Sequence, residues 1–69
     1  MFGNLRYELA RKGMTIKELA EKIDRNYDTV KKKMKGKFEF TRKEMLAIQK
    51  EFPGCTVTYL FDLDKLDDN

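Results

Sequence analysis

The chain contains no histidine and a single cysteine, Cys55. One cysteine excludes an internal disulfide, so a stable fold has to come from helix packing in a reducing compartment. Without histidine there is no imidazole base and no His/Cys ligand cluster. Gly-rich phosphate loops and nucleophile–base spacings are missing too. Enzymatic chemistry is therefore not expected, and neither is a metal, a cofactor or a small-molecule ligand. No apolar run approaches the roughly 20 residues that span a bilayer, and the first residues hold no signal-peptide core. The expectation is a cytoplasmic protein with no membrane partner. β-Hairpin signals, repeats and low-complexity tracts are also absent.

What remains is 69 residues, 41% hydrophobic, with three tyrosines and five phenylalanines. That is one domain with a small core, since a chain of this size buries only about 60% of its unfolded surface. The net charge of +3 is unevenly spread. Residues 1–40 hold eleven Lys/Arg against six Asp/Glu, whereas residues 62–69 hold Lys65 against Asp62, Asp64, Asp67 and Asp68. A basic body of this kind fits a polyanion partner, and equally a solvated lysine-rich surface. Position has to decide between them.

Periodicity and end signals give five helices and an all-α fold over residues 1–62, followed by an acidic tail, 63–69, that is expected to fray. Asn4 is placed to cap the first helix, whose stripe is Leu5, Leu9 and one of Tyr7 or Ala10; Gly13 ends it. Thr15 and Glu18 form a capping box that opens the second, with Met14 able to staple onto Leu19. Its apolar set is Ile16, Leu19, Ala20 and Ile23, and the small Ala20 suits a close helix crossing. Asn26 caps the third helix, which puts Tyr27, Val30 and Met34 on one stripe. Asp28, Lys32 and Lys35 lie on the opposite side, flanked by Thr29, Lys31 and Lys33. Gly36 closes it. In the following link Phe38 and Phe40 are both expected to anchor in the core. Thr41 and Glu44 form a second capping box, opening a helix that buries Met45, Leu46, Ile48 and Phe52 before Pro53-Gly54 ends it. Thr56 caps a last short helix that buries Val57, Leu60 and Phe61.

The stretch T-I-K-E-L-A-E-K-I, a three-residue turn, T-V-K-K-K-M-K-G-K and a following F-T-x-x-E helix resemble the lambda-repressor-like helix-turn-helix family of Cro/repressor (XRE) type. The resemblance covers residues 4–61. The opening F-G-N-L and the close P-G-C-T-V-T-Y-L-F are similar to small repressors of phages and prophages of Gram-positive bacteria. Three positions depart from the family pattern. Asp24 stands where glycine is usual in the turn, and Arg25 where an apolar residue is usual. Lys33 stands where many members have the last apolar residue of the third helix, a role taken here by Met34.

The resemblance implies a transcriptional regulator that binds double-stranded DNA, with the third helix in the major groove and the second across the backbone. By family position the base-contact candidates are Tyr27, Asp28, Thr29 and Lys32. Lys17, Asn26, Lys31, Lys35, Lys37, Arg42 and Lys43 are the phosphate-contact candidates. A homodimer on a two-fold operator is implied, with Val57, Tyr59, Leu60, Phe61, Leu63 and Leu66 as candidate dimer contacts. Plainer readings stand beside these. Tyr27 could be core packing, Asp28 a first-turn acid favoured by the helix dipole, and Leu60 and Phe61 the closure of the core. Cys55 reads as a small packing residue, and the methionines as core fillers. The same fold acting as an antirepressor-like or antitoxin-like interaction module is the alternative function.

Overall fold

The computed structural model describes residues 2–63. Five helices follow in order: α1 (Gly3–Lys12), α2 (Ile16–Lys22), α3 (Tyr27–Met34), α4 (Arg42–Gln49) and α5 (Val57–Leu60), with no strand among the described residues. Four of the five begin at a side-chain cap, because the first amide groups of a helix have no partner within it. Thr15 and Thr41 accept from the amides of Glu18 and Glu44, whose carboxylates return to the threonine amides. Asn26 and Thr56 cap α3 and α5.

The exception is α1. It starts one residue before Asn4, from a left-handed Phe2 with no side-chain cap. The Asn4 amide group instead donates to the Tyr59 carbonyl at 2.8 Å and to Asp62 Oδ1 at 2.9 Å, joining α1 to α5. Phe2 stacks edge-on against Phe40 and Phe61, and these two also meet edge-on at 5.2 Å. This aromatic cluster closes one end of the core.

The core itself is Leu5, Leu9, Leu19, Ala20, Ile23, Val30, Met34, Phe40, Ile48, Phe52, Leu60 and Phe61. Three apolar expectations fail, at Phe38, at Leu46 and at the Tyr7/Ala10 position of α1. Phe38 is 57% exposed and Leu46 47% exposed. In the link only Phe40 can reach the cluster of Phe2 and Phe61, and two residues earlier the chain is still on the surface. On α4 the inward line runs through Glu44, Ile48 and Phe52, so Leu46 lies well round the helix from it. Tyr7 and Ala10 of α1 are both exposed, while Glu8 is buried in their place.

Helices α1, α2 and α3 end in the same way. The amide just after a left-handed residue bonds back to the carbonyl five residues earlier: Met14 to Leu9, Arg25 to Ala20 and Lys37 to Lys32, at 2.9–3.0 Å. This turn requires a left-handed residue, supplied by Gly13, Asp24 and Gly36 with φ of 74°, 58° and 87°. Only Asp24 carries a Cβ there, and that Cβ crowds the following carbonyl. Its carboxylate joins no ion pair among the described residues. Asp24→Gly is therefore expected to stabilise the fold by about 0.5–1 kcal/mol, seen as a rise of a few degrees in the thermal midpoint. A lower midpoint would mean that the aspartate makes an interaction worth more than the strain.

Candidate nucleic-acid interface

Helix α3 is eight residues long, too short to persist alone in water, and its position comes from what holds it. Val30 and Met34 are fully buried beneath it. It packs chiefly on α2 across the Asp24 turn. Arg6 of α1 donates from Nη2 to the Met34 carbonyl at 3.2 Å, tethering the far end. The outer face is then left to polar side chains. Asp28, Thr29, Lys31, Lys32 and Lys35 are all exposed.

The site candidates sort as follows. Tyr27 is 41% exposed, so it stands at the open end of the Val30/Met34 stripe and not inside the core. The Lys31 ammonium lies 5.8 Å from the centre of its ring, an i,i+4 cation–π pair. Asp28 and Lys32 are also four apart, yet no ion pair joins them. Asn26 Oδ1 accepts from the amides of Asp28 (2.8 Å) and Thr29 (3.4 Å), which leaves only its NH2 group for a ligand. Lys17 sits in the first turn of α2, Arg42 and Lys43 in the first turn of α4, and Lys37 in the link; all four are exposed. None of Lys17, Lys31, Lys32, Lys35, Lys37, Arg42 or Lys43 has a carboxylate within 4.0 Å among the described residues. These cations are solvated and able to meet an anion.

Lys33 departs from that pattern. Sequence position put it on the flank of α3 beside Lys31, but its side chain is only 12% exposed and its Nζ lies 2.6 Å from Glu44 Oε1. Arg25 Nε donates to the other oxygen, Oε2, at 3.0 Å, and the Thr41 amide to Oε1 at 2.9 Å. Glu44 is 4% exposed. Burial pushes its carboxyl pKa up, and the hydrogen bonds from Lys33, Thr41 and Arg25 more than reverse this, bringing it down to about 2. Glu44 was legible as a cap residue only. The signal for more was an acid four residues before Ile48, on the line of the helix that should be apolar.

The dimer candidates divide. Leu60 and Phe61 are 0% and 2% exposed, so they close the core and offer no surface, which corrects that expectation. Val57 and Leu63 are half-buried against the core, although the sequence placed Leu63 in the tail. Tyr59 is exposed at its edge and donates from its hydroxyl to Glu8 Oε2 at 2.9 Å. That bond, followed by partial burial, raises the phenol pKa. Leu66 lies outside the described residues.

Beside Glu8 a groove runs between α1 and the α4–α5 link, lined by Arg11, Lys12, Phe52, Pro53 and Cys55. Burial pushes the Cys55 thiol pKa up, away from reactivity. No group of metal-ligating side chains occurs among the described residues, and no helix there is long and apolar enough to cross a membrane.

The model of the Cro/C1-type HTH DNA-binding domain matches residues 4–65. No curated protein and no solved structure matches the chain.

Proposed function

The chain belongs to the Cro/C1-type helix-turn-helix DNA-binding family, and on that premise we propose that it is a sequence-specific repressor of phage or mobile-element type, acting in the cytoplasm and reading the major groove with α3. The observation that carries the reading is the division of the lysine run. Lys33 is turned inward onto Glu44, while Lys32 and Lys35 stand exposed on the side of α3 opposite Val30 and Met34, outside the ion pairs found among the described residues. Lys32 can donate to guanine O6/N7, and Asp28 can accept from cytosine N4. Lys17, Lys31, Lys35, Lys37, Arg42 and Lys43 supply phosphate contacts around the helix, with the NH2 group of Asn26.

One such domain reads few base pairs, so the proposal includes a homodimer on a two-fold operator. Val57, Tyr59 and Leu63 are its remaining described contact candidates. Residues 1–62 form the DNA-binding unit in this reading, with 63–69 as an appended acidic tail.

Selection from random duplexes with the purified protein is the direct test. A motif with two related half-sites about one helical turn apart supports the reading, and failure to enrich any motif at moderate salt counts against it. The affinity for the selected duplex should fall steeply with salt. Five or six phosphate contacts per protomer at about 0.9 counterions each give a slope of log K against log salt of about −5 per bound protomer, and about −10 for the dimer. A slope near −1, measured by fluorescence anisotropy, would contradict the proposed phosphate set.

A further inference from the structure

Two of the positions at which this sequence departs from the family pattern, Arg25 and Lys33, meet on one buried carboxylate. Arg25 lies in the turn before α3, Lys33 lies on α3, and both hydrogen-bond to Glu44 in the first turn of α4. Helices α3 and α4 otherwise touch little, whereas α4 is packed on α5 and α5 on α1. The Glu44 side chain is thus the polar bridge between α3 and α4, beside the burial of Val30 and Met34 in the core and the Arg6–Met34 hydrogen bond to α1. We propose that Glu44 is a positioning residue for DNA reading: by holding Lys33 and Arg25 it sets the rotation at which α3 presents Asp28 and Lys32 to the groove.

Apolar side chains at these two places would pack without direction. Charge-assisted hydrogen bonds fix angle as well as distance, and here both carboxylate oxygens are used. Oε1 takes Lys33 Nζ and the Thr41 amide, and Oε2 takes Arg25 Nε. Lys33 and Lys32 are neighbours on the helix, about 100° apart, so fixing the first orients the second. The network also turns one cation, Lys33, inward and away from DNA phosphates, while Arg25 stays 40% exposed. Both effects favour the specific site over random sequence.

The inference rests on the proposed reading of DNA by α3, and its test separates the two. Glu44→Gln keeps size and capping ability and removes the charge. Lys33→Met removes the α3 anchor and leaves the Arg25–Glu44 pair. Affinities for the selected duplex and for a random duplex are measured at one salt concentration, below the thermal transition of each variant. Amide residual dipolar couplings report the orientation of α3 relative to α1, α4 and α5. The expected result in both variants is at least a tenfold fall in the ratio of specific to random affinity, with α3 couplings that no longer fit the wild-type orientation. A purely stabilising Glu44 would act through the folded fraction and lower both affinities by one common factor. A ratio within threefold of wild type, with couplings that still fit, overturns the proposal. If the wild-type protein does not distinguish the two duplexes, DNA reading by α3 falls, and the couplings still decide whether Glu44 positions the helix.

Discussion

Glu44→Ala is expected to cost about 3–5 kcal/mol of stability, the range for removing one partner of a buried ion pair. The change strands the Lys33 ammonium, which is only 12% exposed, and deprives Arg25 of its acceptor. It also breaks one half of the α4 capping box, freeing the Thr41 amide. A domain of this size holds on the order of 3–10 kcal/mol in total. The loss therefore takes the protein close to its unfolding midpoint at 25 °C. Circular dichroism at 222 nm through a thermal or urea transition checks it. At roughly 4–8 °C per kcal/mol for domains of 60–100 residues, the thermal midpoint should drop by more than about 12 °C. A loss under 1 kcal/mol would mean that Lys33 and Arg25 swing out to water at little cost.

The same residue sets the acid limit of the fold. Its carboxyl pKa in the folded state is about 2, below the ordinary 4.5 that applies once the chain unfolds. A depressed pKa contributes stability that is complete above pH 4.5 and is lost as the pH falls toward 2. With 1.36 kcal/mol per pKa unit, the loss over that window is on the order of 3 kcal/mol. Glu18 works in the same direction, its pKa lowered by hydrogen bonds from the Thr15 amide and hydroxyl. Acid unfolding of wild type should thus be steep between pH 4.5 and 2, and visibly shallower in Glu44→Gln, whose side chain does not titrate.

The legible parts of this fold were local. A threonine three residues before a glutamate specifies a helix start within four residues, and both Thr15 and Thr41 act as read. Gly13 and Gly36 mark helix ends for the same reason, since the left-handed turn needs no distant partner. What the sequence did not disclose depends on contacts far along the chain. Phe38 and Phe40 are chemically alike, and only the positions of Phe2 and Phe61 decide which of them is buried. Asn4 reads as a cap, but the backbone at Tyr59, 55 residues away, claims its side chain. Glu8 and Glu44 lie on apolar stripes, where an acid looks like an interruption. Each is buried because a partner elsewhere covers its charge: Arg11 and Tyr59 for Glu8, Lys33 and Arg25 for Glu44. The outer face of α3, which is the proposed binding face, was legible in outline, because Val30 and Met34 fix which side of the helix points inward. Its membership was not, since Lys31 and Lys33 occupy equivalent flanks of the apolar stripe and only Glu44 draws Lys33 inward.

That distinction gives the second large effect. Lys32→Ala is expected to weaken binding to the selected duplex by roughly 10–100-fold, the 1–3 kcal/mol of a specific base contact, and to relax preference at one base pair per half-site. Lys35→Ala is expected to weaken binding to every duplex by a similar factor and to make the salt slope less negative by about 0.9 per bound protomer, as for a phosphate contact. The double variant should lose roughly 100–10,000-fold if the two effects are independent. Both lysines are exposed and outside the ion pairs found among the described residues, so the thermal midpoint should hold to within about 0.5 kcal/mol of wild type. A loss of binding can then not be assigned to unfolding. Lys33→Ala makes the informative contrast, because its ammonium is bound to Glu44: it should destabilise the fold while leaving the salt slope unchanged. If Lys32→Ala and Lys35→Ala both bind DNA as wild type does, α3 is not the reading helix. The exposed lysines would then be only a solvated surface on a domain that engages its partner elsewhere.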